Sequence, residues 1–269
     1  WISVKMRNLK LFPTLGQKLL SILLVVLLLC LGGLSGEENN PPAPIVQPSP
    51  AKEEVPIQVL LGKFKPAEHP DFVRISGYNN HPAMYLQARA KAALDSLVAD
   101  AAKAGIHLNL VSATRNFDIQ KAIWERKIAE QGGRHFDTLD KERKINILRD
   151  ILSYSSMPSA SRHHWGTDVD LCSVELSFWN SPRGKRYSEW LTVNAANYGY
   201  YLVYSAHREG GHNYEPWHWS YLPISGHYLQ EYRRQVTYED ITGFSGAEYA
   251  RDLDIFEQYV SNVMQSILP

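Results

Sequence analysis

The composition of the chain changes near residue 57, and this change limits how much of the sequence can fold as one domain. Of the 269 residues, the first 36 contain four basic residues, no acidic residue and an apolar run from Leu19 to Leu31. Residues 37–56 are rich in Pro, Glu and Asn and have no apolar periodicity. A segment of that composition buries too little apolar surface to offset the entropy of ordering it. The sequence therefore predicts one domain over residues 57–269, after a linker at 37–56.

The first 36 residues have the order of a secretory signal, with basic residues, then an apolar stretch, then small residues. The apolar run is shorter than the roughly 20 residues that a membrane-spanning helix needs. Two alternatives remain, an uncleaved anchor and lipid attachment at Cys30. In each case the sequence predicts an exported domain that touches a membrane only through residues 19–31.

The charge and cysteine content exclude several classes of protein. The chain has 28 Lys and Arg residues and 28 Asp and Glu residues. A nucleic-acid-binding protein normally carries a basic excess, so we expect no nucleic-acid partner. Because the leader contributes bases and no acids, the rest of the chain, residues 37–269, is mildly acidic. Two cysteines are also too few for a disulfide-dense scaffold or a four-cysteine zinc module.

Helical and strand patterns mix along the predicted domain without regular strand–helix–strand alternation. Apolar periodicity and stop signals predict helices and strands. The predicted helices are 83–104, 117–131, 139–154, 183–198 and 246–267. The predicted strands are 106–113, 167–174, 200–205 and 217–222. This order favours the α+β class, with a small, mostly antiparallel sheet flanked by helices.

The segment 161–170, which reads SRHHWGTDVD, could bind a metal. Asp168 and Asp170 are two residues apart in a predicted strand, so their side chains lie on the same face. His163 occupies the turn before that strand. His163 and one of the two acids could therefore reach the same ion, although hydrogen-bonded structural roles are also compatible with the pattern.

The segment 215–218, which reads EPWH, supplies the same kinds of side chain. Pro216 makes it an entry into a strand, so the helical HExxH zinc motif is absent. Two histidines and one carboxylate hold a catalytic zinc and leave a fourth position open. A second carboxylate beside that position could act as a general base.

A third segment, 112–115, reads SATR and ends the predicted strand 106–113. Arg115 could bind a carboxylate or a developing oxyanion there. A surface ion pair with an acid is the alternative role for this side chain.

Together these segments resemble the VanY-like D-alanyl-D-alanine carboxypeptidases of the LAS group of zinc peptidases. That family has SxxR, then SxHxxGxAxD, then ExWH, and this chain has SATR, SRHHWGTDVD and EPWH in the same order. The likeness spans roughly residues 80–225. The resemblance implies a LAS/hedgehog-like zinc peptidase fold. It also implies a location in the bacterial cell envelope, outside the cytoplasm, because the family's substrates are peptidoglycan stem peptides.

Carried over position by position, the resemblance implies Zn²⁺ held by His163, Asp170 and His218. It implies that Glu215 takes a proton from the attacking water and passes it to the leaving amine. The family's alanine is Asp168 here, and the seven-residue step from His163 selects Asp170 as the ligand. Asp168 would then either support the site without binding the metal or face solvent.

The resemblance also implies residues that contact the substrate. Arg115 would bind the oxyanion or the terminal carboxylate, and Ser161 would form a hydrogen bond with the substrate. Ser112 and Gln120, on either side of Arg115, are further candidates for substrate binding.

The sequence therefore predicts an exported zinc D-alanyl-D-alanine carboxypeptidase that acts on peptidoglycan stem peptides. An L,D-carboxypeptidase or a peptidoglycan endopeptidase on the same zinc site is one alternative. A catalytically silent module that binds the cell wall is the alternative from another class, and the complete ligand set with Glu215 disfavours it.

Overall fold

The computed structural model describes residues 54–76 and 83–263. The predicted leader and residues 37–53 of the predicted linker lie outside the described residues. Within the described part of the chain, no helix has the length and apolar character needed to cross a membrane.

A four-stranded antiparallel sheet forms the centre of the domain. Its strands are β3 (Leu110–Ser112), β4 (Asp168–Leu171), β6 (His218–Tyr221) and β5 (Tyr200–Leu202), in that spatial order. A separate two-stranded antiparallel ribbon consists of β1 (Phe72–Ile75) and β2 (Met84–Gln87). The central strands β4 and β6 pair over their length, and this pairing brings distant parts of the chain together.

Seven α-helices surround the sheet in the described residues. They are α1 (Ile57–Leu60), α2 (Ala88–Lys103), α3 (Phe117–Gly132), α4 (Lys141–Leu152), α5 (Leu176–Asn180), α6 (Pro182–Asn194) and α7 (Leu222–Gln235). Polar caps fix the starts of several of them. Asn116 accepts from the backbone N–H of Ile119 at the start of α3, and Asp140 does the same for Arg143 at the start of α4.

Two hydrophobic cores lie against the sheet and its flanking helices. One contains Leu94 and Leu97 of α2, Leu191 of α6, and Val169 and Trp219 from the sheet. Because side chains alternate along a strand, the neighbours of Val169 and Trp219 project to the opposite face. That opposite face carries polar side chains, which is unusual for fully buried central strands and marks it as the place of a site.

The second core is built by α3, α4, α7 and the C-terminal segment. Its buried members include Trp124, Leu148, Leu229, Leu253 and Val260. The indole Nε1 of Trp124 donates to the carbonyl of Ser245, so its one polar group is satisfied. The segment after residue 245 is therefore part of the domain's core.

The structure confirms the α+β class and the small antiparallel sheet. The helices predicted at 117–131 and 139–154 form as α3 and α4, and the strands form with shorter bounds than predicted. Gly105 and Gly199 follow helical segments with positive φ, as the stop signals indicated.

Two predictions about secondary structure were wrong, and several elements were not predicted. The first residues of the helix predicted at 83–104 form β2, because they pair with β1, which the sequence did not predict. Helix α7 was not predicted at all. The helix predicted at 246–267 does not form as one α-helix in its described part, 246–263, which has a 3-10 turn at 247–249 and a π-helical turn at 256–260. The apolar side chains Leu253 and Val260 are nevertheless buried as expected, because tertiary packing and not helical periodicity places them.

Candidate metal centre

Three side chains from separate segments converge on the polar face of the sheet. Asp170 of β4 and His218 of β6 are directly opposite each other in the antiparallel pair. Such cross-strand partners have Cβ atoms about 5 Å apart, so the strand register alone brings them together. His163 joins them from the turn before β4. One nitrogen or oxygen from each residue lies within 4.8 Å of the others, and all three residues are buried.

A tight turn delivers His163 to this cluster. Residues Arg162–Trp165 form one short helical turn, and Gly166 ends it with a φ of 69°. Only glycine adopts this left-handed conformation without strain. A Cβ atom at Gly166 would also overlap the Phe72 ring. The glycine of the motif thus reverses the chain and lets β4 start two residues later.

The hydrogen-bond inventory of the cluster fits a metal ion. His163 Nε2 and Asp170 Oδ1 are buried and have no hydrogen-bond partner among the described residues. These two atoms face each other at 3.4 Å, and His218 Nδ1 is 3.8 Å from the same Asp170 oxygen. Buried polar atoms without partners are rare in folded proteins. Two imidazole nitrogens and one carboxylate are the ligand types that zinc prefers.

The outward-facing nitrogens of both histidines are held by acceptors. His163 Nδ1 lies 2.8 Å from the carbonyl oxygen of Ala113, and His218 Nε2 lies 2.9 Å from Asp168 Oδ2. Histidines that bind metals commonly donate their other ring N–H in this way, which fixes the tautomer and the ring orientation. Each histidine therefore presents its remaining nitrogen to the cluster.

The electrostatics of the cluster favour a cation. Burial alone would lower the pKa of His218, but hydrogen bonds to Asp168 and Glu215 and the charge of Asp170 raise it to about 9. Burial alone would raise the pKa of Asp170, and His163 and Arg115 hold it below its usual range. Surroundings that keep a proton on His218 also stabilise a divalent ion at that position.

Glu215 lies beside the cluster without belonging to the metal-ligand set. Its Oε2 is 3.2 Å from His218 Nδ1, and the residue is 5% exposed. Burial raises the pKa of its carboxyl above the usual value. A carboxylate with a raised pKa next to a metal is suited to accept and return a proton.

Arg115 approaches the cluster from the end of β3. Its Nη1 is 3.5 Å from Asp170 Oδ2 and donates to Ser112 Oγ at 3.3 Å. Its Nε is buried and has no partner among the described residues. Arg115 therefore places a positive charge beside the cluster, where it balances the charge of Asp170.

The cluster lies at a cleft of about 770 Å³. Of the predicted residues, the wall contains Ser112, Arg115, Asp170, Glu215 and His218. Most of the exposed large apolar side chains in the described residues also line this cleft. They are Val111, Ile119, Tyr154 and Val174. The cleft therefore combines a charged floor with an apolar rim, as small-molecule and peptide sites do.

Two of the predicted substrate-binding residues do not line the cleft. Ser161 is 2% exposed, and its hydroxyl has no partner among the described residues. Gln120 is 1% exposed, and its Nε2 donates to the carbonyl of Ser156. Gln120 thus ties α3 to the loop after α4, which is a structural contact.

Sequence reasoning missed several cleft residues on α3 and after α4. Arg126, Lys127 and Ile123 lie on one side of α3, and Tyr154 packs against Trp217 with ring centroids 6.2 Å apart. Burial lowers the pKa of Lys127. No motif contains these residues, and the helical spacing of Ile119, Ile123 and Lys127 was the only signal that they share a face.

Comparisons with known proteins identify relatives of this chain. A sequence model of the family described as VanY, D-alanyl-D-alanine carboxypeptidase, matches residues 83–224. The Bacillus subtilis (strain 168) protein "Putative carboxypeptidase YodJ" is 28% identical over 173 residues, which cover 61% of this chain and 56% of that protein. The chain thus spans little more than half the length of that relative.

Two solved structures are also similar to this chain. The structure of the LD-carboxypeptidase LdcB is 20% identical, with a TM-score of 0.45, and the match covers 74% of this chain and 81% of that chain. A mutant of the vancomycin resistance D,D-pentapeptidase VanY in complex with Zn(II) is 19% identical, with a TM-score of 0.43. That match covers 62% of this chain and 88% of the other.

Proposed function

Because this chain belongs to the VanY family of D-alanyl-D-alanine carboxypeptidases, we propose that it is a zinc-dependent carboxypeptidase. Its substrate would be a peptidoglycan stem peptide, from which it removes the C-terminal D-alanine. The convergence of His163, Asp170 and His218 beside Glu215 carries this proposal. Two of those ligands present buried atoms that have no hydrogen-bond partner among the described residues.

The ligand set and its neighbours suit peptide hydrolysis. When bound, Zn²⁺ would act as a Lewis acid that polarises the scissile carbonyl and makes water more acidic. Glu215 accepts a proton from the attacking water as the new C–O bond forms. Glu215 then returns this proton to the amine of the leaving D-alanine as the C–N bond breaks. Burial raises the pKa of the Glu215 carboxyl above its usual value, which makes it a better proton acceptor.

The cationic groups of the cleft suit a substrate that ends in a carboxylate. Arg115 lies beside the cluster, and Arg126 and Lys127 add positive charge to the same wall. Charge-assisted hydrogen bonds from such groups bind and orient carboxylates. The cleft volume of about 770 Å³ is within the range of small-molecule and peptide sites.

The proposal includes the domain organisation and location expected from the sequence. Residues 1–36 would direct the chain out of the cytoplasm as a cleaved signal or a retained anchor. Residues 37–56 would link that segment to the catalytic domain of residues 57–269. Export would place the domain in the bacterial cell envelope with its peptidoglycan substrate.

The direct test is digestion of defined stem peptides by the purified protein, followed by mass spectrometry. We expect a pentapeptide ending in D-Ala-D-Ala to lose one alanine, and chelation of zinc to abolish the reaction. Release of alanine only from a tetrapeptide would indicate an L,D-carboxypeptidase, and cleavage of cross-linked dimers would indicate an endopeptidase. Zinc-loaded protein that leaves all of these peptides intact would contradict the proposal and favour a silent wall-binding module.

The variant Glu215→Gln separates metal binding from catalysis. We expect it to bind zinc with the stoichiometry of the original protein and to lose at least about 100-fold in kcat, because the general base is absent. The matched control is Glu189→Gln on α6, a helix with no residue in the cleft. Metal analysis and initial rates on both variants provide the comparison. Full activity in Glu215→Gln would disprove the assigned role.

A further inference from the structure

We propose that Asp168 is a positioning residue that holds the metal ligand His218 in the tautomer and orientation needed to bind zinc. This inference rests on the proposed zinc-dependent function and deepens it. It concerns a position at which the chain departs from the motif SxHxxGxAxD, because an aspartate stands here in place of alanine. The sequence left open whether Asp168 faces solvent, and the structure buries it completely.

Both carboxylate oxygens of Asp168 are fully engaged. Oδ2 accepts from His218 Nε2 at 2.9 Å and from Arg162 Nε at 3.1 Å. Oδ1 accepts from the hydroxyls of Thr167 and Ser220 at 2.7 and 2.6 Å. Four donors around one buried carboxylate fix its position on every side. The strand register also aligns Asp168 with Ser220, so backbone pairing supports the same arrangement.

The His218 ring lies between the metal cluster and this carboxylate. Its Nδ1 faces Glu215 and Asp170, and its Nε2 faces Asp168. An imidazole that donates from Nε2 to a carboxylate keeps its Nδ1 lone pair free for a metal. The edge of Tyr204 contacts the same ring, with centroids 4.9 Å apart, and limits its rotation. The carboxylate therefore selects which nitrogen faces the cluster.

Arg162 offsets the energetic cost of burying the Asp168 carboxylate by pairing with it. Its guanidinium is 2% exposed, donates to both Asp168 and Ser220, and lies 4.7 Å from the ring of Trp165. Asp168 is thus a carboxylate with a neutralising partner of its own, and its interaction with His218 adds no net charge to the site. A buried ion pair often adds no stability, and apolar residues can often replace it. The proposed role of the Arg162–Asp168 pair is therefore functional.

The test compares zinc affinity in two variants, measured by competition with a chromophoric chelator of known affinity. Asp168→Asn removes the charge and keeps the shape. Arg162→Met/Asp168→Ala removes the buried pair together, so that neither partner is left unpaired. We expect each variant to bind zinc about 10- to 100-fold more weakly than the original protein, as for other partners of metal-bound histidines. In zinc-loaded protein, the downfield proton resonance of the His218 Nε2–H should move upfield or disappear in both variants.

A control variant separates positioning from general destabilisation. Leu94→Ala creates a cavity in the hydrophobic core beside α2, which does not include the metal ligands. It lowers stability without removing a contact of His218. We expect this variant to keep the zinc affinity of the original protein. Zinc affinity within threefold of the original in the double variant, with an unchanged Nε2–H resonance, would overturn the role of Asp168. If the original protein itself binds no zinc, the proposed function and this inference both fail. If the original protein binds zinc and the Asp168 variants bind it with the same affinity, this inference fails and the proposed function stands.

Discussion

Three buried carboxylates lie within one site, and their surroundings give them different chemistry. Asp168 and Asp170 remain ionised because cationic side chains and histidines lie against them. Glu215 has a raised pKa because burial outweighs the effect of its single histidine partner. Carboxylates whose environments separate their pKa values commonly take different roles. Glu215 is therefore the best suited of the three carboxylates to accept and return a proton.

Arg115 Nη1 lies 3.5 Å from the predicted metal ligand Asp170, and removal of Arg115 should weaken catalysis more than metal binding. We expect Arg115→Gln to lower kcat/KM by about 100- to 1,000-fold, as for loss of a donor to a developing oxyanion. Zinc stoichiometry should remain unchanged, because Arg115 is not a ligand. Steady-state kinetics with a stem pentapeptide measure the effect, and Arg143→Gln on the exposed face of α4 is the control. If Arg115→Gln lowers kcat/KM no more than Arg143→Gln does, Arg115 has no role in the mechanism.

His212 should make the protein sensitive to mild acid. Burial lowers its pKa to about 3, and its ring lies 2.6 Å from the carbonyl of Leu152 and 3.0 Å from Ser156 Oγ. An unfolded histidine titrates near pH 6.5, so between about pH 6.5 and 3 the unfolded state binds a proton that the native state does not. Stability therefore falls as pH decreases through this window, by about 1.4 kcal/mol per pH unit for one such group.

The variant His212→Asn tests this linkage, since asparagine can still donate to Leu152 but does not titrate. Between pH 7 and pH 5, we expect the free energy of unfolding of the variant to fall about 2 kcal/mol less than that of the original protein. Urea unfolding of chelator-treated samples at both pH values removes the contribution of zinc. Parallel losses in the two proteins would show that His212 is not the responsible group.

At the scale of elements, the turn before β4 and the β4–β6 pair together build the site. The pair places Asp170 opposite His218 and Asp168 opposite Ser220, so two rows of polar side chains share one face. The other face of the same strands carries Val169 and Trp219 and belongs to a hydrophobic core. A shift of one residue in this register would send the ligands into that core. The core therefore enforces the alignment of the ligands.

Gly166 connects the turn to β4, and its replacement should affect both stability and metal binding. Alanine at a φ of 69° costs about 1–2 kcal/mol, and overlap of its Cβ with Phe72 adds a further cost of about 1–3 kcal/mol. We expect Gly166→Ala to lose these amounts in urea unfolding and to bind zinc more weakly, because His163 shifts. Gly226→Ala in the middle of α7 is the matched control, with no positive φ and its nearest neighbour at 3.5 Å. Equal stability of the two variants would contradict this account.

At the scale of the whole molecule, the site joins three distant segments of the chain. His163 precedes β4, Asp170 lies within it, and His218 begins β6 after two intervening helices and β5. Glu215 stands three residues before His218 in the same segment, and Arg115 comes from the loop after β3. An ion held by these residues would bind the folded state and not the unfolded chain. Metal binding and folding are therefore linked in this protein.

Removal of zinc should lower thermal stability along with activity. At a free zinc concentration 100 times its Kd, binding stabilises the folded state by about 2.7 kcal/mol. For a domain of this size, we expect a melting temperature about 5–10 °C lower in chelator than in zinc. Differential scanning fluorimetry measures the shift, and His163→Ala should show none. Identical melting of the original protein with and without zinc would argue against a metal at this cluster.

Local patterns in the sequence were sufficient for the α+β class and for helices α3 and α4, whereas the set of His163, Asp170 and His218 came from the resemblance to the VanY family. Helical periodicity, glycine stops and two-residue alternation act over a few residues, so they are readable without a structure. The same patterns gave a wrong helix at 246–267, where packing against α4 and α7 imposes turns on an amphipathic sequence. They also missed β1, whose residues are extended because they pair with β2.

The sequence by itself determined which side chains could hold a metal and accept a proton, because those abilities belong to residue types at fixed local spacing. Only the tertiary structure decided the role of Asp168, the placement of Gln120 away from the cleft, and the apolar rim formed by Ile119, Tyr154 and Val174. These features depend on contacts between residues far apart in the chain. Burial, strand register and the partner of each polar atom arise only when those distant segments pack together.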